Sequence, residues 1–462
     1  AISANAQAVS CTQTVAGGAS LSIKSDLTGN VCQTSPGAAT ITVQNSTIDA
    51  GGSTYGVAIE SGSITLSGGS SITISGSDYS EALVSNGEGD LEITIDAASS
   101  IDVETESADS YSEATGIYAD QRGDVTVTLN ADSSVNVQSA AYYDGTATGI
   151  VIESDQMYVK GGSSATSSVL GQSTTINVSS TSSDEDADSA GLGLVASSTN
   201  YASTTSVELT SSAVTISANS ASDDANALGI YSEANSNGSS DGPATASITL
   251  NSTDFSVSAD AADDAYAEGI VLESYGNTGV IDPTTASVTL NQGTFTVSAE
   301  SLDDADSLGI DVQSNDRGTF GEPETEVSLT DVTVSVSASA GDESNASAIA
   351  AGAYGEFGAE TDVSISGGSL TLNAQSASTN LNEEINSYGE GIVAGSYANA
   401  GGAETHITLN DTELSISASA NVNEGYGDAV AQSLGVSSVA RSGADDHADA
   451  VVSLSSSSLS VS

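Results

Sequence analysis

A pair of short strands recurs about a dozen times along this chain, and no other feature constrains its fold as much. The pattern is apolar-x-apolar, a short turn, then apolar-x-apolar again. Clear copies are Ile248-x-Leu250 with Phe255-x-Val257, Val288-x-Leu290 with Phe295-x-Val297, and Val327-x-Leu329 with Val334-x-Val336. A unit this small cannot bury its apolar face alone, so copies must stack and the expected fold is a solenoid. A further strand in each unit opens with Gly and an aliphatic residue, as at Gly229-Ile230, Gly269-Ile270 and Gly309-Ile310, which are 40 residues apart each time. Three strands per turn, with buried and exposed positions alternating, predict an all-β chain. Its architecture is expected to be a single long parallel β-helix of roughly a dozen three-stranded coils with protruding loops. No apolar i, i+3, i+4, i+7 stripe argues for helix. A propeller blade needs four strands rather than three. The nonapeptide of calcium-binding β-rolls is absent.

The turn inside the pair divides the chain. In copies between Ile64 and Val178, with Leu170 read as the core residue of the last, the two halves are six residues apart; from Val207-x-Leu209 onward they are five apart. The expected divisions are therefore a cap over residues 1–37, a first β-helical stretch over 38–205 and a second over 206–462. The second has coils of about 40 residues and an uncapped C-terminal end. The surplus residues of each unit fall in two places. One is an arm after the Gly-Ile strand, such as Ala234–Thr245 or Tyr275–Thr285; the other is an acidic stretch before it, read as a loop or as a widening of the strands.

Charge excludes whole classes of partner. There are 62 acidic residues against five basic ones, a formal net charge of -57. Without a basic patch the chain cannot neutralise phosphates, so nucleic acid is excluded, as are anionic lipid surfaces. No run of 18 apolar residues predicts a transmembrane helix. The acids cluster as Asp184-Glu185-Asp186, Asp223-Asp224, Asp263-Asp264, Asp303-Asp304, Asp342-Glu343 and Glu383-Glu384. If coils are in register these pairs stack about 4.8 Å apart. Such a carboxylate ladder suits Ca²⁺; the plainer reading is that the pairs splay into salt water. Asp223, Asp224, Asp263, Asp264, Asp303 and Asp304 are the candidate metal ligands, and no other cofactor is expected.

No catalytic residue stands out. Paired carboxylates can hydrolyse glycosidic bonds, but here they are everywhere and none is distinguished; His406 and His447 are isolated. A polysaccharide-acting β-helix enzyme and a structural subunit of an extracellular filament or surface layer are the alternatives to a non-enzymatic binding protein. Tyr275, Tyr354 and Tyr397 fall in the variable arms and are candidate contacts for sugar or protein. Thr249, Thr289, Ser328, Ser364 and Thr408 are expected to line one outer face, suited to side-by-side association, to O-linked sugars or, less well because Glu208 interrupts it, to ice.

Cys11 and Cys32 are the only cysteines. They are read as a disulfide stapling the N-terminus in an oxidising compartment, the alternative being two free thiols. The small-x-small run Ala4-Asn5-Ala6-Gln7-Ala8 resembles a signal peptidase site and supports export. With the Ser/Thr/Gly-rich repeats and the aliphatic-cored β-helix, these features resemble the passenger domain of an autotransporter (type V secretion) adhesin. The resemblance spans nearly the whole chain and rests on pattern and composition. It implies display at a Gram-negative cell surface through a C-terminal barrel that this chain lacks. It also implies attachment to a host or bacterial surface protein or glycan, or to other copies of itself, in aggregation and biofilm formation. No membrane insertion by this segment is expected.

Overall fold

The computed structural model describes residues 11–156, 163–199, 201–237, 242–276, 283–317, 321–378, 385–422, 429–443 and 447–462. They form a parallel β-helix. One sheet holds thirteen strands, one from each coil, and a second sheet holds the paired strands. Every strand pairing is parallel and joins one coil to the next, as in Ile248↔Val288↔Val327. Thirteen coils at about 4.8 Å per step make a rod roughly 60 Å long. No described helix is long and apolar enough to cross a membrane.

The alternation read in the sequence is the inside–outside alternation of the coils. Val207, Ile248, Val288 and Val327 occupy one buried column, and Val214, Phe255, Phe295 and Val334 another. In three central coils the pair fuses into one long strand: Ala244–Asp260, Thr285–Glu300 and Glu324–Ala340. The acidic stretch widens the strands rather than looping out. The strand Ala225–Ser236 buries Ala225 and Ala227 before it reaches Gly229. The arm beyond is shorter than its sequence suggested, because the next strand already starts at Ala244.

At the Gly-Ile step the alternation slips by one, so Gly229 and Ile230 both face inward. A Cβ on Gly229 would lie 2.3 Å from the Gly269 carbonyl oxygen and 2.4 Å from Phe255 Cζ, and Gly269 is equally crowded by Gly309 and Phe295. The missing side chains make room for the two phenyl rings, which stack 4.9 Å apart with 3° between their planes. Burying each ring contributes about 1.5–3 kcal/mol. Not all of the interior is aliphatic. Ser274 Oγ donates to the Ala244 carbonyl at 2.8 Å and Ser314 Oγ to that of Thr284 at 3.0 Å, so buried hydroxyls are paired where strands meet arms.

Register corrects one assignment. Val169 and Gly171, not Leu170, sit in the core columns, level with Val207 and Leu209. Leu170 points outward and is 39 % exposed. Hydrophobicity favoured the leucine, yet the column tolerates glycine because Leu209 fills the space beside it. The turn from Gly171 to Ile176 therefore already has the five-residue spacing, so the change precedes residue 205. Val43 to Ile48 also has it, by alignment with Leu66 and Ile72. Only the three coils turning at Leu66–Ile72, Ile95–Ile101 and Leu129–Val135 carry the longer turn. Most of the short turns place one residue in the left-handed region, such as Ser211 at φ 52° and Asp331 at φ 53°. Short polar side chains accept this conformation more readily than bulky ones.

At the N-terminal end, Gln13–Val15 and Ser20–Ile23 pair with Val31–Gln33 and Ala39–Gln44. The stretch expected as a cap thus contributes strands to the same ladders. Cys11 and Cys32 form a disulfide, with their Cα atoms 5.7 Å apart, and no free cysteine is present. The small-x-small run at 4–8 lies outside the described residues.

Candidate functional site: the acidic corner and the outer faces of the rod

The acidic pairs stack, as register requires. Each sits at the corner where the paired strands give way to the Gly-Ile strand. Asp263 N–H donates to the Asp223 carbonyl at 3.4 Å, and Asp303 N–H to that of Asp263 at 3.3 Å. Some carboxylates are held by the next coil: Asp224 Oδ1 accepts from Asp264 N–H at 3.2 Å, and Asp304 Oδ1 from Glu343 N–H at 3.1 Å. Desolvation followed by neighbouring carboxylates raises the pKa of Asp186 (Asp223), Asp263 (Asp264, Asp303) and Asp304 (Asp264, Asp303). The pair Glu383-Glu384 lies outside the described residues.

Carboxylate oxygens converge within 4.8 Å in two groups: Asp186, Asp223 and Asp224, and Asp263, Asp264 and Asp303. Ca²⁺ takes six to eight oxygens. One converging oxygen from each of three carboxylates falls short of that, and the corner carbonyls of Asp223, Asp224, Asp263, Asp264 and Asp303 accept from backbone amides. The donor set therefore suits a loosely held, largely hydrated counter-ion rather than a dedicated calcium loop.

The three candidate tyrosines share one column. Tyr275, Asn315, Tyr354, Tyr397 and Arg441 are successive register partners on the outer face of the thirteen-stranded sheet. They lie in strands, not in the variable arms where the sequence placed them. Tyr354 and Tyr397 stack at 5.0 Å with 5° between planes, and the Arg441 guanidinium lies 5.7 Å from the Tyr397 ring centre. Both faces of Tyr397 are thereby occupied by its neighbours. Tyr275 is separate: its hydroxyl donates to Glu273 Oε1 at 2.9 Å, and burial followed by that bond pushes its pKa up to about 12. It borders a shallow cleft with Glu233, Asn235, Asn315 and Arg317.

The expected Thr/Ser ladder exists. Glu208, Thr249, Thr289, Ser328, Ser364 and Thr408 are register partners on the outer face. On the strand after the turn lies a strip that sequence reasoning missed. One outward column runs Asn136, Asn177, Thr215, Ser256, Thr296, Ser335, Thr371, Ser415, Ser460. Beside it run Gln138, Ser179, Ser217, Ser258, Ser298, Ser337, Asn373 and Ser417. Neither column carries a charge, on a chain with 62 acids. Acids return in the coil before, at Asp102 and Glu104, and in the next column out, at Asp260 and Glu300. Comparing the second residue of each half-pair across coils would have exposed the strip.

The histidines stand apart from these features. His406 Nδ1 lies 3.0 Å from Asp362 Oδ1, beside Glu360 and Glu404, and His447 Nε2 lies 3.8 Å from Asp449. The described surface clefts are shallow and run over several coils. No family model, no curated protein and no solved structure matches this chain.

Proposed function

We propose that this chain is the exported rod of a bacterial adhesin of the autotransporter passenger type, acting without catalysis. It attaches to a host or bacterial surface protein or glycan, or to copies of itself, through its flat faces and loops. The observation that carries this reading is the charge-free strip. A molecule of net charge -57 repels most biological surfaces. A hydroxyl- and amide-lined band up to nine coils long is where close approach costs least and hydrogen bonds can form across an interface. The disulfide supports an oxidising, extracytoplasmic compartment, and counter-ions at the acidic corner reduce repulsion between neighbouring rods.

The test displays the chain on a bacterial surface and scores attachment and aggregation. Ser258→Glu with Ser298→Glu places charge in the strip. Thr249→Glu with Thr289→Glu places the same charge in the column that already holds Glu208. Loss with the first pair and retention with the second is the expected result. Equal behaviour of the two pairs removes the strip from the reading.

A further inference from the structure

A second feature of the outer surface has a different chemistry. On the thirteen-stranded sheet, just before the glycine bend, two clefts of about 450 and 390 Å³ share Tyr266 and Glu268 and run into one another. Together they form a trough parallel to the rod axis, crossing the coils from Thr146 to Glu390. Two outward columns line it. Tyr266, Asp306, Asn345 and Tyr388 are successive partners in one, and Glu268, Leu308, Ser347 and Glu390 in the other. The same Tyr-x-Glu pair therefore occurs twice in the trough, three coils apart, or ~14 Å at the interstrand spacing. Between the pairs lie Asp306, which accepts from Asn345 Nδ2 at 2.8 Å, and half-buried Leu308. Leu228 extends the apolar floor towards the N-terminal end of the rod.

Carboxylates alone do not distinguish this place, since they cover the rod. The leucine floor and the paired tyrosines, set along two open clefts that join end to end, do. Neither Glu268 nor Glu390 has a hydrogen-bond or ion-pair partner among the described residues, and desolvation followed by Asp311 raises the pKa of Glu268. Among the described residues, no basic side chain lines either cleft. The trough thus offers anionic sites about 14 Å apart, a tyrosine beside each, and an aliphatic stretch between them.

We propose that this trough binds a linear polyamine. Its outer ammonium groups, about that far apart when the chain is extended, pair with Glu268 and Glu390 and meet the faces of Tyr266 and Tyr388. One of its inner ammonium groups meets Asp306, and its methylene segments lie over Leu308. A compact metal ion satisfies the carboxylates but gains nothing from the leucine or the spacing. The proposal does not depend on the adhesin reading, because it concerns another face and is read in solution.

The experiment titrates spermine into the whole chain by calorimetry at about 0.15 M salt, where long-range attraction to the net charge is screened. Saturable binding is expected. Glu268→Gln with Glu390→Gln should weaken it about tenfold or more, the scale of a lost charge-assisted contact. Glu92→Gln with Glu104→Gln removes two charges from the other sheet and should change it less than about twofold. Leu308→Ser should weaken spermine but leave Mg²⁺ binding unchanged. Equal losses from the two glutamate pairs, an unaltered spermine affinity in Leu308→Ser, or binding that never saturates would each reduce the trough to part of a general counter-ion atmosphere and overturn the proposal.

Discussion

Only four residues lie between Asp264 and Gly269, yet the two corners of the coil they mark are held by opposite means. At the glycine bend the backbone of one coil touches the next, and Phe295 Cζ fills the remaining space. Nothing there can move without displacing backbone. At the acidic corner the carboxylates face water and repel one another, and only some accept an amide from the next coil. The first corner is fixed by packing and indifferent to solvent; the second is set by solvent and adds little to packing. A repeat can therefore be strict on the inside of a bend while its neighbouring corner is free to vary in charge and length.

The largest effect that would test this contrast is Phe295→Ala. It should cost about 3–5 kcal/mol and open the adjoining coils first, because a solenoid is coupled mainly to its nearest neighbours. Faster amide hydrogen exchange confined to coils around residues 255–340 would show it; a uniform change along the rod would contradict local coupling. Next, replacing Cys11 and Cys32 by Ser should cost about 3 kcal/mol for a loop of this length, visible as exchange in the first coils. Both corners near residue 264 should be unaffected.

Gly269→Ala comes third, at about 1–3 kcal/mol for overpacking. The slot holds Ala at 82 and 348 but Gly at 116, 149 and 309, all without a phenyl ring beneath, so the next coil's carbonyl crowds it and the ring adds to that crowding at 269. Combining Gly269→Ala with Phe295→Leu should therefore cost less than the sum of the single changes. Strict additivity in the measured unfolding free energies would mean the ring adds nothing to the crowding of the glycine by the next coil's carbonyl.

The smallest effect belongs to the acidic corner. Asp304→Asn keeps an oxygen for Glu343 N–H and removes a repelling charge, so it should stabilise by no more than a few tenths of a kcal/mol. The sign of the pH effect follows from linkage. Asp304 has a raised pKa in the folded chain, so between the ordinary carboxylate range and that raised value the folded state holds more protons than the unfolded one. Stability then falls as pH rises through this window and is regained as pH falls through it. The melting-temperature advantage of Asp304→Asn should be present at neutral pH and shrink on acidification. An advantage that grows in acid would reverse the assignment.

Much of the fold was legible because buried positions are chemically restricted. Pairs such as Ile248-x-Leu250 announce their column, and the 40-residue spacing of Gly229, Gly269 and Gly309 announces the bend. The strand carrying Leu170 misleads because the most apolar residue of a strand is expected to point inward. Register with Val207 and Leu209 overrode it, and Gly171 took the core place. The tyrosines mislead differently. Tyr275, Tyr354 and Tyr397 sit among Gly, Asn and Ser, which read as loop, although each lies on a strand whose outer face is merely solvated.

By itself the sequence determined the stacked coils, the inward columns, the acidic corner and the cysteine pair. Each depends on which residues water rejects, crowds or leaves alone, and that preference is written locally. Only the tertiary structure decided which outward residues become neighbours. It placed Ser256 beside Thr296, Tyr354 beside Tyr397, and Glu268 three coils from Glu390. Water satisfies any polar residue at an exposed position, so such positions carry no periodic signal. Their adjacency arises solely from the hydrogen-bonded register that links residues some 40 apart along the chain.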